Sequence, residues 1–296
     1  MQISRAMKND RLMKALTGVS VEEFKELLVT FTQILKEEEK KNESDKKRAT
    51  GGGRTGFIKP VENKLFFLLF YLKTYPKFDV AGFFFGVVRS CPCTWYKDYL
   101  PILKKTLGRE CCLPKRKIKS VEEFLEVFPE VMDVLVDASE RETQRPKKPK
   151  NQKKNYSGKK KKHTRKNTII SDLDRRILYV SPTKAGKVHD KKMVDKEGVL
   201  HNIPPWVTKL LDSGYQGVQH SIPNVLIPKK KSKNKPLTPQ EKEDNKIISS
   251  FRIGVEHVIG GMKRFDCLSN VYRNKNGIDD AFVEVCAGLW NFHVRH

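Results

Sequence analysis

The sequence predicts a mixed α/β sheet with helices packed against it, preceded by an all-helical region. Three observations carry that reading. Up to about residue 127, apolar residues recur at three- and four-residue spacing behind helix-capping signatures. From residue 131 the texture turns to short β-branched runs separated by turn signals. The chain then closes on one long capped helix and one last amphipathic helix.

Taken in order, SVEE at 20–23 is a capping box, in which Ser20 and Glu23 satisfy each other's backbone donors, and a helix follows to about residue 40. Residues 41–59, with three consecutive glycines and many charges, read as a linker. Three short helices follow: the apolar 62–73, a second from an Asp79 cap to Phe85, and a third after Ser90 with Pro92 in its first turn. The intervening GVVRS has the length of a helix-turn-helix turn, and the third helix is expected to carry Thr94, Trp95 and Lys97 outward. The region 60–127 is therefore a candidate DNA-binding region, with an ordinary helical bundle as the alternative. A second SVEEF starts a helix at 120. Beyond 128, strands are expected over VMDVLVDAS, residues 164–171, ILYVSP, WVTKLLD and NVLIP, with a short helix at HDKKMVD that Asp190 could cap. Thr238, Pro239 and Glu241 then open a helix of about 26 residues, roughly 39 Å long at 1.5 Å per residue. A helix over 278–293 ends the chain.

The charge narrows the partner. There are 59 Lys and Arg against 35 Asp and Glu, a net charge of +24, and such an excess points to a polyanion, nucleic acid first and an anionic membrane surface second. Between Thr143 and Ser171 there is no acid and 12 positions are Lys or Arg, so this basic tract, with Tyr156, Lys159, Lys160, Lys161, Lys162 and His163, is expected to grip a phosphate backbone. No run reaches the roughly eighteen apolar residues of a membrane span, and MQISRAMKND lacks a signal peptide's apolar segment. A cytoplasmic location is expected, nucleoid-associated in a bacterium, with no membrane partner. The six cysteines, spaced C-x-C and C-C rather than as C-x-x-C pairs, read as buried reduced thiols and not as zinc ligands.

Two acids, Asp137 and Asp212, end apolar strands, where ligands bind in open α/β sheets; each taken alone reads first as a turn-former or a cap. Within FRIGVEHVIGGMKRF, residues 251–265, a helical count at about 100° per residue gathers Phe251, Val255, Val258, Met262 and Phe265 on one flank. Arg252, Glu256 and Lys263 fall on the neighbouring flank, as either a surface ion-pair ladder or a held acid. Three carboxylates in a basic chain suit hard Mg²⁺, which takes oxygen ligands and leaves room for phosphate.

The motifs VDASE (136–140), NYSGKKKKHT (155–164), GKVHDK (186–191), LLDSGYQG (210–217), IPKKK (227–231) and RIGVEHVIGGMKRF (252–265) are in the right order for a known family. Residues 131–292 resemble the catalytic domain of DDE-superfamily transposases of bacterial insertion sequences, in the insertion-sequence-five group related to Harbinger elements. The resemblance implies an RNase H-like catalytic domain over 128–296. It implies Asp137, Asp212 and Glu256 as the metal-binding catalytic triad for two Mg²⁺ or Mn²⁺ ions. It also implies double-stranded DNA as partner, both terminal inverted repeats and target, and a homo-oligomer on that DNA. Arg252 and Lys263 would then contact phosphate or steady Glu256, and Gly260 would allow a close approach. His189, Asp190, Tyr215 and Gln216 would support the site or only form turns and caps. Ser249 stands where the family's signature has tyrosine, and Ala138-Ser139-Glu140 where Gly-Thr-Glu is typical. A DNA-binding relative that no longer cuts, or a host nuclease of the same fold, are the alternatives to an active transposase.

Overall fold

In the computed structural model, residues 3–44, 58–231, 236–274 and 277–296 are described. Most of the expected linker, 45–57, lies outside them. The chain divides into two compact units: residues 1–113, 263–270 and 284–296 form the first, and residues 114–262 and 271–283 the second.

The first unit is helical. It opens with α1 (Ile3–Ala6) and α2 (Asp10–Thr17), within the 1–40 stretch expected to hold N-terminal helices. Asn9 caps α2 by accepting from the Leu12 N–H, and Gly18 ends it with φ 79°, a left-handed conformation that glycine adopts freely. α3 (Val21–Ser44) starts at the predicted capping box, where Ser20 N–H donates to Glu23 and Glu23 N–H donates to Ser20 Oγ at 3.1 Å. It continues past residue 40 into the stretch read as linker. α4 (Val61–Thr74) is apolar all round and buried from Leu65 to Leu72, so it is the central helix of this unit rather than a membrane span. α5 (Phe78–Phe85) and α6 (Ser90–Arg109) flank a short turn that begins at Gly86, φ 66°. A Cβ at Gly82 would lie 2.6 Å from the Val87 carbonyl, so the turn needs glycine there. Asp79 does not cap α5: Lys77 holds that position, and Asp79 faces Arg89 at 3.9 Å.

The second unit starts with α7 (Val121–Val127), again capped by its serine, Ser120. β1 (Asp133–Glu142) leads through α8 (Pro149–Asn155) to β2 (Tyr156–Ser157), β3 (Lys162–Ser171), β4 (Ile177–Val180) and β5 (Lys184–Ala185). Then come α9 (Asp190–Glu197), β6 (Thr208–Leu211), β7 (Val225–Leu226) and α10 (Pro239–Lys263). The sheet runs β2-β3-β1-β6-β7, with β4 and β5 also paired to β3. β1 is antiparallel to β3 but parallel to β6, and β6 is parallel to β7, so the sheet is mixed. One face carries Val134, Val136, Ile170, Leu178 and Leu211 in a core shared with α7 and α9, which Tyr215 joins from the turn after β6. The other face presents Leu135 and Leu210 to Val255 and Ile259 of α10. α11 (Asp266–Ser269) belongs to the first unit, and α12 (Ile278–Val294) ends the chain.

Thus a mixed sheet flanked by helices follows an all-helical region, as predicted. The 25-residue α10 begins at the predicted Thr238–Glu241 box, with both reciprocal bonds formed. Phe251, placed on the core flank by helical counting, is instead exposed at 44 %. All six cysteines are free, but Cys111 is exposed and Cys91 and Cys93 are only half-buried. No helix among the described residues is long and apolar enough to cross a membrane.

Candidate active site

The parallel pairing of β1 with β6 ends at Val136 opposite Leu211. The next residue on each strand is an aspartate, so Asp137 and Asp212 stand side by side on neighbouring strands. Those lie about 4.8 Å apart. Alternation puts both on the face of Leu135 and Leu210, under α10. Asp137 is not the last residue of its strand: β1 continues antiparallel to β3 as far as Glu142. What ends there is the parallel partner.

α10 comes close to this face because residue 254 is glycine. A Cβ on Gly254 would meet Leu135 Cδ1 at 3.0 Å, whereas one on Gly260 would meet nothing within 4 Å. The close-approach glycine is thus Gly254, six residues before the one singled out by sequence. From α10, Arg252 bridges two of the acids. Its Nη1 lies 3.3 Å from Asp212 Oδ1, and its Nη2 lies 3.8 Å from Glu256 Oε1. Glu256 itself is a surface residue, with 62 % of its side chain exposed.

Each aspartate is oriented by the backbone that follows it. Ala138 N–H donates to Asp137 Oδ1 at 2.7 Å, and Ser213 N–H donates to Asp212 Oδ1 at 2.5 Å. Both bonds take Oδ1. Burial pushes the Asp137 carboxyl up to about 6, and the charges of Asp212 and Asp190 add to the rise, against the lowering by the Ala138 N–H and Arg252. A buried carboxylate beside a second one presents hard oxygen donors, which are what a divalent cation such as Mg²⁺ takes. The paired aspartates therefore fit a metal. Glu256 does not join them at one point: among the described residues, no three His, Cys, Asp or Glu side chains converge within metal-holding reach.

The supporting residues sort by burial and partner. Asp190 is the first residue of α9 rather than its cap, a position that His189 holds. The Asp190 carboxylate accepts from Lys166 Nζ at 3.0 Å, and a Cβ on Gly214, in the turn after Asp212, would lie 3.7 Å from it. Lys166 was not singled out by sequence; it sat unremarked in the basic tract. Tyr215 is buried in the core, its hydroxyl raised far above the usual range by burial, and so faces no solvent-borne ligand. Gln216 donates to the Pro228 carbonyl at 2.9 Å and ties the turn to the end of β7. Gly186 lets the β5–α9 connection lie against β3, since a Cβ there would fall 1.9 Å from Thr164 Oγ1.

The basic candidates lie elsewhere. Tyr156 and His163 are partners in the β2–β3 pairing, with rings edge to face at 5.7 Å. The intervening turn displays Lys159, Lys160 and Lys161, Lys161 at φ 52°, while Lys162 is paired with Glu142 at 2.7 Å. Lys97 is exposed on α6. Trp95 turns its ring onto Phe67 at 5.1 Å and Phe85 at 6.4 Å, so it packs in the helical unit instead of standing outward. Lys263 belongs to the first unit, whereas Arg252 and Glu256 belong to the second.

Two aspartates thus stand in register on parallel strands, beside a helix bearing Arg252 and Glu256. Residues 136–291 match the family described as DDE superfamily endonuclease, and the chain belongs to that family. The chain is also 30 % identical over 297 residues to a protein of Microchaete diplosiphon named "Probable transposase for insertion sequence element IS702", covering 99 % of each. No solved structure matches.

Proposed function

We propose that the protein is a DNA transposase. It binds the terminal inverted repeats of its element, cleaves a phosphodiester at each end, and joins the freed 3′-hydroxyl to target DNA with two divalent ions, Mg²⁺ or Mn²⁺. The observation that carries this reading is the in-register pair Asp137 and Asp212 at the end of the β1–β6 pairing, with Arg252 reaching from α10 to Asp212. The name of the relative and the net charge of +24 support it.

Asp137 and Asp212 would hold the cation, with Glu256 as the third acid. When bound, a divalent cation supplies Lewis-acid stabilisation of phosphoryl oxygens and activation of the attacking oxygen. The chain's own residues do the rest. The Ala138 and Ser213 amides fix the aspartates through Oδ1, and Lys166 pairs with Asp190 so that this neighbouring acid does not add its full charge to the pair. Arg252 holds Asp212 and sets the direction of Glu256 from one turn away. Exposed lysines of the β2–β3 turn meet the DNA backbone without reading its sequence.

Incubation of the full chain with DNA carrying the element's terminal repeats and Mg²⁺ tests the proposal. Cleavage with joined product is expected. Cleavage without joining would identify a nuclease of the same fold, and retarded DNA without either product a binding protein. Asp137→Asn and Glu256→Gln should each lower cleavage by about a hundredfold or more, the loss of the several kcal/mol a correctly held metal contributes. A folded Glu256→Gln protein that still cleaves at the wild-type rate would remove Glu256 from the site.

A further inference from the structure

At the opposite end of β3 from the paired aspartates lies a cavity of about 710 Å³, lined by Arg145, Lys153, Tyr156, Gly158, His163 and Lys187, with Gln152 in its wall. His163 precedes Ile169, the register partner of Asp137, by six residues. At ~3.4 Å per strand residue that is about 20 Å along the sheet.

The lining is one-sided in charge. No acid among the described residues pairs with Arg145, Lys153 or Lys187, although most arginines and many lysines elsewhere in the described chain do find one. Arg145 is positioned rather than loose. Its Nη2 donates to Gln152 Oε1 at 3.1 Å, and Gln152 in turn donates to the Pro146 carbonyl at 2.8 Å. The lining also holds an aromatic pair, the Tyr156 ring edge to face with His163. The His163 Nδ1 is buried without a hydrogen-bond partner, a polar atom still lacking its complement. Gly158 also lines the cavity, and a Cβ there would meet nothing within 4 Å. The volume falls in the range of small-ligand sites, roughly 300–1,000 Å³, and far exceeds what a lone phosphate fills. Cations for a phosphate, a ring for stacking and an unpaired polar atom for a base edge together describe one nucleotide.

We infer that this cavity receives a single unpaired nucleotide of the DNA strand, its phosphate on Arg145, Lys153 and Lys187 and its base against Tyr156. The inference rests on the reading of the protein as a DNA transposase and adds a separate site to it. Held there, an unstacked nucleotide would anchor the strand about 20 Å from Asp137, roughly six nucleotide steps at ~3.4 Å each. Stacking tolerates any base, so the site would favour open or frayed DNA over paired DNA without choosing a sequence.

The test compares fluorescence-anisotropy titrations of the full chain on two DNAs: a blunt duplex, and the same duplex ending in a short unpaired oligothymidylate tail. The ratio of the two dissociation constants is read. The tailed DNA should bind at least about tenfold tighter, the scale of one stacked base. Tyr156→Ala and Gly158→Phe should each bring the ratio close to one, the first by removing the stacking face and the second by filling the cavity with no change of charge. Tyr156→Phe should keep the ratio. Gly158 is exposed and open, so its variant is expected to fold, which circular dichroism checks. Equal binding of the two DNAs by the wild type, or a tail preference that survives both Tyr156→Ala and Gly158→Phe, overturns the nucleotide site and leaves the transposase reading standing. Failure to bind either DNA overturns both.

Discussion

Gly254 and Gly260 share a helix and differ only in what lies beneath them. At Gly254 an added methyl would press on Leu135 Cδ1 at 3.0 Å, beside the very strand that positions Asp137. At Gly260 it would enter open space. Helical propensity favours alanine at both by about 1 kcal/mol, because glycine loses more backbone freedom on folding. Gly260→Ala should therefore raise the urea midpoint by an amount equivalent to about 0.5–1 kcal/mol. Gly254→Ala should lose that gain to overpacking, typically 1–3 kcal/mol when neighbours cannot yield, and should lower cleavage by moving α10 off the sheet. Equal midpoints for the two variants would contradict the close approach. At this scale the sequence was informative about identity and less so about setting. Asp137 and Asp212 were legible because each follows an apolar run. The length of β1 was hidden, because Arg141 sits buried in the strand, bonded to Asn167 and paired with Asp279, while a lone arginine in sequence reads as solvent-facing. Trp95 was misjudged for the complementary reason: its partners Phe67 and Phe85 come from other helices, which no local count can see.

Elements with chemical punctuation were legible. Ser20, Ser120 and Thr238 each accept from the amide three residues on, and each marks a helix start correctly. Elements without it were missed, such as the two-residue β2 and β5, which exist only because β3 offers edges to pair with. β6 carries the least expected residue of the sheet. Lys209 alternates with Leu210 and is fully buried, its Nζ donating to the carbonyls of Pro204 at 2.9 Å and Val207 at 2.8 Å, and burial pushes its ammonium down to about 8. The folded state thus holds this proton less tightly than the unfolded chain, whose lysine keeps its ordinary value of 10.5. Between those two values the unfolded chain binds more protons, so stability rises with pH there, and the cost of a buried charge is fully present below about 8. The expectation is a wild type that gains on Lys209→Met as pH goes from 8 to 10, by up to about 1.4 kcal/mol per pH unit. Paired urea titrations of the two proteins check this, and parallel pH profiles would show that Lys209 keeps an ordinary affinity for its proton.

For the molecule as a whole, the net charge of +24 sets how binding responds to salt. Each phosphate neutralised on B-DNA contributes about −0.9 to the slope of log K against log salt, through release of condensed counterions. The acid-free tract from 143 to 171 supplies the densest block of cations, but its lysines are not equivalent. Lys162 is paired with Glu142 at 2.7 Å, whereas among the described residues no acid pairs with Lys159, Lys160 or Lys161 at the tip of the turn. A lysine already neutralised by its own protein releases little from DNA. Replacing Lys159, Lys160 and Lys161 by alanine should therefore make the slope shallower by about 2.7, from three contacts at about 0.9 each, and replacing Lys162 alone should change it by much less. The measurement is a series of anisotropy titrations on one blunt duplex between 50 and 200 mM salt, where six to ten contacts would cost roughly 10³ to 10⁵ in affinity. An unchanged slope in the triple variant would place the β2–β3 turn off the DNA, and the cations that hold the duplex would then have to be sought on another surface of the chain.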